Sequence, residues 1–390
     1  MPRPLASRTA DLRQSEIRSM TRRAVEMGGV NLSQGLCDLP TPGPVKEAAC
    51  RAIRQDNNTY APMNGLACLR EKIAEKLKAF NGISADPETE ITVTSGATGG
   101  YTCALLALLE AGDRVLVFEP FYGYHAGTLK ILGFEPVALR LEPPDWSIDF
   151  ARLEELLAGG VKALLLNTPA NPMGKVFSGL EMEKIAGLCR KYDLWVITDE
   201  IYEYITFGGH RHLSIGALEG MAGRTVTVSG FSKTLAMTGW RLGYAAGPAA
   251  VIGKMALVSD LIYICAPRPL QAGVASALGE LDPGYYDSLR RIYGSKRELL
   301  SRALEKFGFA PLPLEGTYFL LADYSERYGA VGSLEAANRL LDETGIASVP
   351  AASFYSGGAD RTWLRFCFAK EDRELERAGQ LLEQASLVKG

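Results

Sequence analysis

Between residues 90 and 247, short apolar runs alternate with segments of helical length such as 98–110 and 180–192. Most of the runs are almost continuously apolar, which is typical of strands buried on both faces. The strand candidates lie at 91–94, 114–118, 135–139, 162–166, 194–198, 224–229 and 242–246. This repetition predicts an α/β fold, a mainly parallel seven-stranded sheet with helices on both faces.

The rest of the chain follows a different pattern. Residues 284–390 show long helical periodicity and three short strand candidates, at 318–321, 347–349 and 363–368, which predicts a smaller α+β domain. A chain of 390 residues is too long for one ordinary hydrophobic core, so two domains are expected. We predict a large domain at 46–283 and a small domain formed by 1–45 and 284–390.

Charge and composition exclude several classes of protein. A formal charge of −3 argues against a nucleic-acid partner. The apolar runs fall far short of the ~20 residues that span a bilayer, so no membrane partner is expected. Seven cysteines without a Cys-x-x-Cys pair predict free thiols in a cytoplasmic protein. The three histidines, His125, His210 and His212, are predicted to be ordinary surface or turn residues, and no metal site is expected.

The clearest chemical signal is the passage TVSGFSKTLAMTGWRLGY at 227–244. Lys233 follows an apolar strand in an otherwise uncharged stretch, and Arg241 comes eight residues later. A desolvated lysine has a lowered pKa and becomes a usable nucleophile. Because ligand sites in open α/β sheets lie beyond the carboxyl ends of the strands, Lys233 is predicted to belong to a site there.

This passage resembles the cofactor-lysine motif of class I aminotransferases that use pyridoxal phosphate (PLP) and have fold type I. The resemblance recurs in order from 32–35 to 365–368, and it is greatest to aspartate/aromatic and kynurenine–glutamine aminotransferases. It implies that Lys233 carries PLP as a Schiff base. It also implies transfer of an amino group from an L-amino acid to a 2-oxo acid by a ping-pong aldimine mechanism.

Several further residues match roles in that family. Asp199 ends an apolar strand, where a carboxylate needs a partner, and the resemblance implies the protonated pyridine nitrogen of PLP. Tyr202 and Asn171 match residues that bond the cofactor's phenolic oxygen; Asn171 also orients the substrate and precedes a candidate cis peptide bond. Arg365 matches the arginine that holds the substrate α-carboxylate with its planar fork. Gly35 matches a glycine that contacts the same carboxylate.

The glycine-rich turn at 94–100 precedes a helix, whose free N–H groups suit a phosphate. The resemblance implies phosphate contacts from three neighbouring residues, from Arg241 and from a serine. The three are Gly96, Ala97 and Thr98, and the serine is Ser232 or Ser229. It also implies that Tyr122, with Phe121 as the alternative, stacks on the pyridine ring.

Tyr60 matches a tyrosine that reaches the phosphate of the neighbouring subunit, which implies a homodimer with shared active sites.

Two questions stay open from the sequence. A C–S β-lyase, or another eliminating enzyme of the same fold, would carry the same motifs. Arg268 is either a cation for a distal carboxylate or a solvent residue at a helix start, whereas residues near Tyr122 and Tyr263 suit an aromatic or methionine-like side chain. A regulator with an added DNA-binding domain is not expected, because Gly35 already belongs to the pattern.

Overall fold

A computed structural model describes residues 6, 9 and 16–387. The strands of this part of the chain are β1 (Val30–Asn31), β2 (Ile91–Thr94), β3 (Arg114–Glu119), β4 (Glu135–Arg140), β5 (Val161–Asn167), β6 (Trp195–Asp199), β7 (Thr225–Gly230), β8 (Gly243–Ala246), β9 (Ala310–Pro311), β10 (Phe319–Asp323), β11 (Ile346–Ala347), β12 (Val349–Pro350) and β13 (Trp363–Cys367). The α-helices are α1 (Glu16–Glu26), α2 (Gly43–Arg54), α3 (Ala67–Lys76), α4 (Gly96–Leu108), α5 (Gly123–Leu132), α6 (Phe150–Ala158), α7 (Gly179–Lys191), α8 (Ala249–Tyr263), α9 (Arg268–Leu278), α10 (Tyr285–Phe307), α11 (Ser325–Tyr328), α12 (Ser333–Thr344) and α13 (Asp372–Leu387).

The larger sheet has seven strands in the order β2-β8-β7-β6-β5-β3-β4. Strand β8 runs antiparallel to β2 and β7, and the other neighbours are parallel. The predicted α/β fold with a mainly parallel seven-stranded sheet is therefore confirmed. Each predicted strand of this sheet agrees with the observed bounds to within one residue.

Successive residues of the central strands enter two different cores, one on each face of this sheet. Leu164 packs with buried residues of α6 and α7, whereas its neighbour Leu165 packs with buried residues of α4 and α8. Side chains alternate across a strand, so a strand covered on both faces must be apolar at every position. This burial explains the continuous apolar runs in the sequence.

The second sheet is antiparallel and has the order β12-β13-β10-β9. It shares a core with α10, α12 and α13, to which α1 adds Met20 and Ala24. The predicted strand at 347–349 was wrong as a single element, because it is divided between β11, which pairs with β1, and β12 in the second sheet. Strands β1 and β9 were not predicted, since two residues show no periodicity. The division into domains at 46–283 and 1–45 with 284–390 stays a prediction.

The described helices include none with the length and apolarity that a bilayer crossing requires.

Candidate active site

A cavity of about 490 Å³ lies where β5, β6 and β7 end, and β13 of the second sheet contributes to its wall. Its volume is within the range of small-molecule sites. Most of the predicted site residues line it: Gly35, Ala97, Thr98, Tyr122, Asn171, Asp199, Tyr202, Ser232, Lys233, Arg241 and Arg365. The structure thus brings together residues that are up to 330 positions apart in the sequence (35 and 365).

Lys233 follows β7, and its Nζ atom donates a hydrogen bond to the carbonyl oxygen of Gly35 at 3.2 Å. The same atom lies 5.8 Å and 5.4 Å from the ring centroids of Tyr202 and Tyr318. Burial lowers the pKa of Lys233 to about 8, against the opposing effect of nearby thiols and of Asp199. A neutral amine is therefore accessible near neutral pH, as a nucleophile requires.

Asp199 is the last residue of β6 and is buried. Its Oδ1 atom accepts a hydrogen bond from the backbone N–H of Ile201 at 3.2 Å, and its Oδ2 atom lies 2.9 Å from His125 Nε2. The sequence-based prediction for His125 was wrong, because this histidine is buried at the site rather than exposed. The spacing of His125 could have indicated this location, because residues three positions apart on a helix lie on the same side, and Tyr122 and His125 are so spaced at the start of α5.

The prediction for His212 was also wrong, since this side chain is buried with two carboxylates. His212 Nε2 lies 2.8 Å from Glu200 Oε2, and potential metal-ligand atoms of Glu200, Glu203 and His212 lie within 4.8 Å of one another. Lys76 and Asn81 already contact Glu203, at 2.5 Å and 2.8 Å. Lys76 and Asn81 therefore satisfy Glu203 in this buried polar cluster, whereas His212 Nδ1 has no hydrogen-bond partner among the described residues.

Arg365 lies in the middle of β13 with only 2% of its surface exposed. Its Nη1 atom donates to Asn171 Oδ1 and its Nη2 atom donates to the carbonyl oxygen of Ser33, both at 2.9 Å. The guanidinium lies 4.0 Å from the ring centroid of Phe319 and 4.9 Å from that of Phe354. Its Nε atom has no hydrogen-bond partner among the described residues. A buried cation with an unused donor at a cavity wall is suited to an anionic ligand.

A second anion-binding region is formed by the start of α4 and by Arg241. Arg241 has a φ of 53°, and its Nη1 atom donates to the carbonyl oxygen of Thr238 at 3.1 Å. A Cβ atom on Gly96 would lie 2.6 Å from Arg241 Nη2. Glycine at this position therefore leaves room for the Arg241 guanidinium. Gly96 therefore lies beneath Arg241, while Ala97 and Thr98 face the cavity. Free N–H groups and a cation together suit a phosphate.

The sequence left two choices open, one between two serines for the phosphate and one between two aromatic residues for the ring, and in each pair one residue lines the cavity. Ser232 lines the cavity, whereas Ser229 is buried and donates to Glu203 Oε1 at 2.9 Å. Tyr122 lines the cavity, whereas Phe121 lines only a smaller neighbouring one. The peptide bond between Asn171 and its following proline is cis, as the sequence suggested.

Tyr60 is outside the cavity, with 73% of its surface exposed. Its carbonyl oxygen accepts a hydrogen bond from Arg268 Nη1 at 3.0 Å. Arg268 is the first residue of α9, as the helix-start alternative predicted, and it does not line the cavity of its own chain. The sequence missed Arg18 of α1, which lines the cavity although it precedes every recognised motif.

These residues fit PLP in three respects. Lys233 offers an amine of lowered pKa, the start of α4 with Arg241 offers an anion cradle, and Asp199 offers a buried carboxylate at a strand end. Arg365 lines the same cavity and offers a buried positive charge to a second anion.

Comparison with known proteins agrees with this interpretation. Residues 28–382 match the model of the family described as aminotransferase class I and II. The chain is 34% identical over 365 residues to methionine aminotransferase of Escherichia coli, covering 94% of each chain. It is 35% identical over 373 residues to aspartate aminotransferase of Pyrococcus abyssi, covering 95% of each. The structure of N-succinyldiaminopimelate aminotransferase from Mycobacterium tuberculosis aligns with a TM-score of 0.93 at 34% identity, covering 98% of this chain and 100% of that one.

Proposed function

This chain belongs to the class I and II aminotransferases and is a PLP-dependent aminotransferase, and from this premise we propose roles for the residues of its cavity. The observation that carries the proposal is that Lys233, Asp199 and Arg365 face one cavity. When bound, PLP supplies an electron sink for the α-carbon of an amino acid. The side chains bind, orient and exchange protons around it.

We assign the two ends of the cofactor to different elements. Its phosphate would be held at the start of α4 by Ala97, Thr98, Ser232 and Arg241. Its pyridine nitrogen would be held by Asp199, which pairs with His125 at 2.9 Å. A buried carboxylate favours the protonated form of that nitrogen, and each pKa unit of this effect is worth roughly 1.4 kcal/mol.

The remaining contacts orient the ring and the substrate. Tyr202 and Asn171 would bond the phenolic oxygen, and Tyr122 would stack on the ring. Lys233 Nζ would move the proton from the substrate Cα to the cofactor's C4′, and in the opposite direction when the second 2-oxo acid is converted. Its pKa of about 8 is near neutral pH, where a group can both accept and donate a proton.

Arg365 binds the substrate α-carboxylate, with Gly35 and Asn171 beside it. The guanidinium is already fixed by Asn171 and by the Ser33 carbonyl, so little rotational freedom is lost on binding. The same arginine accepts amino acids and 2-oxo acids, because both carry this carboxylate.

The assignment is tested by changing Arg365 to glutamine. We expect a loss of about 3 kcal/mol of transition-state binding, or roughly 100-fold in kcat/KM, for every amino donor. Arg365→Lys should recover only part of this, because lysine lacks the planar fork. Steady-state kinetics measure the effect, and Arg361→Gln, near the start of the same strand, is the control. An unchanged kcat/KM in Arg365→Gln would contradict the assignment.

We also propose that the enzyme is a homodimer with shared active sites. The loop of Tyr60 adjoins the junction of α8 and α9, where the backbone N–H of Ala61 lies 3.4 Å from Cys265 Sγ. Leu261, Ile262 and Ile264 at this junction are exposed; we call them the α8–α9 patch. An exposed apolar patch is typical of a protein interface. A second copy on this patch would bring Tyr60 toward the neighbouring cavity.

Leu261→Glu should separate the dimer, since Leu261 is 86% exposed in one chain and would place a charge in an apolar interface. Sedimentation should show half the wild-type mass. Cofactor affinity should fall about tenfold, because each cavity loses a phosphate hydrogen bond from Tyr60. Leu180→Glu on α7, at a site 79% exposed, is the matched control. A Leu261→Glu variant that stays dimeric would refute this interface.

The cytoplasm is the compartment we propose. All seven cysteines lie within 16–387, and all are free thiols. Free thiols are typical of proteins in reducing compartments.

A further inference from the structure

The cationic groups of the cavity outnumber its carboxylates. Arg18, Lys233, Arg241 and Arg365 line it, and Asp199 is the single Asp or Glu among the described lining residues. The proposed function uses three of the cations: Lys233 bears the cofactor, Arg241 faces its phosphate and Arg365 receives the α-carboxylate. Arg18 is the cation without an assigned anion.

Arg18 differs from the other arginines of α1 in its surroundings. Arg23 donates to Asp342 at 2.8 Å and also to Asn338, so it serves to attach the helix. No described residue forms a hydrogen bond or ion pair with the exposed Arg18 guanidinium, which nevertheless lines the cavity. A surface arginine normally lies in bulk solvent, but this one faces a confined ligand site.

The helix turn that carries Arg18 is connected to the segment that holds Arg365. Thr21 lies three residues after Arg18 and therefore on the same side of α1. The hydroxyls of Thr21 and Ser33 are 3.2 Å apart, and the Ser33 carbonyl accepts the hydrogen bond from Arg365. The contacts from Thr21 to Ser33 and from Ser33 to Arg365 therefore connect this turn of α1 to the Arg365 guanidinium.

Arg18 shares the cavity with other exposed lining residues, which indicate the part of the cavity that is open to solvent. Leu36 and Tyr124 are both about half exposed and line the same cavity, whereas Lys233 and Arg365 lie deeper. A substrate held by its α-carboxylate at Arg365 would direct its side chain toward this outer part. An aliphatic segment would pack on Leu36 and Tyr124, and its end would meet Arg18.

We propose that Arg18 determines specificity by binding a carboxylate at the far end of the substrate side chain. The substrates would then be dicarboxylic amino acids and dicarboxylic 2-oxo acids. The planar guanidinium binds a carboxylate through two parallel hydrogen bonds. This inference rests on the proposed function, since it needs the α-carboxylate at Arg365.

The test uses the holoenzyme with two classes of amino donor, L-glutamate and L-aspartate against L-methionine and L-phenylalanine. Arg18→Gln should lower kcat/KM for the dicarboxylic donors about tenfold to a hundredfold, mainly through KM. Values for the neutral donors should stay within about twofold. Arg22→Gln is the matched control, because Arg22 is exposed on the same helix but does not line the cavity.

A binding measurement gives a second readout that does not depend on turnover. Calorimetric titration should show that Arg18→Gln weakens glutarate binding about tenfold or more and leaves valerate binding unchanged, since valerate lacks the distal carboxylate. An equal loss for both ligand classes, or no loss for either, would overturn the role of Arg18. If the wild type transfers an amino group from none of the four donors, the proposed function itself is overturned.

Discussion

Lys233→Ala is expected to lower the rate of amino transfer by at least about 10⁴-fold, because it removes both the covalent attachment of the cofactor and the base that moves the Cα proton. The purified wild type should show the visible absorbance of lysine-bound PLP. Borohydride should fix the cofactor to the wild type and not to the variant. Absorbance spectra, mass mapping of the reduced peptide and single-turnover kinetics measure these effects.

Two further variants separate chemistry from folding. Lys233→Arg keeps a cation of similar length beside Gly35 and the rings of Tyr202 and Tyr318, and it should be equally inactive with a thermal midpoint near that of the wild type. Lys254→Ala, at an exposed position of α8, should leave both cofactor trapping and turnover unchanged. Transaminase activity retained by Lys233→Ala would refute the assignment.

Asp199→Ala should have the second largest effect, a loss of about 4 kcal/mol or roughly 10³-fold in kcat, since it leaves a buried pyridinium without its counter-charge. Asp199→Asn should be nearly as inactive, because it keeps the shape but removes the charge. In Asp199→Ala, His125 also loses its partner at 2.9 Å. The loss should fall on kcat more than on KM, because Arg365 still binds the substrate.

The opposite end of β6 provides the control for this change. Asp193 precedes the strand, has a φ of 50° and pairs with Arg224 at 2.8 Å in an exposed salt bridge. Asn tolerates this conformation, and exposed pairs contribute little, so Asp193→Asn should leave kcat unchanged. If Asp199→Asn also kept wild-type kcat, the proposed ring–carboxylate pair would be wrong.

The larger sheet was predictable because its strands are buried on both faces, which requires an apolar residue at almost every position of each strand. Leu164 and Leu165 serve different cores, and each had to be apolar. Strand β1 is held by pairing with the distant β11, and β9 by pairing with the next strand, β10; each has only two residues, too few to show a local pattern.

The site was predictable where a residue ends a strand or lies in an unusual local composition, as Asp199 and Lys233 do. The spacing of His125 from Tyr122 indicates that both lie on one side of α5, but the pairing of His125 with a carboxylate 74 positions away leaves no local signal. Arg18 shows the same limit. Nothing local to α1 distinguishes it from Arg22, and only the packing of the helix against distant residues places it at the cavity.

The shared core of α1, α10, α12 and α13 has a consequence for how the molecule is made. Met20 and Val30 share a core with Leu375 and Leu382, so the segment that carries α1 and β1 meets these partners only after α13 has been synthesised. Contacts of such large sequence separation form late in folding. The Ser33 carbonyl and the Arg365 guanidinium meet across 332 positions in the same way. A nascent polypeptide that has not yet reached β13 therefore lacks one wall of the cavity, and the pocket assembles only after both segments have been made.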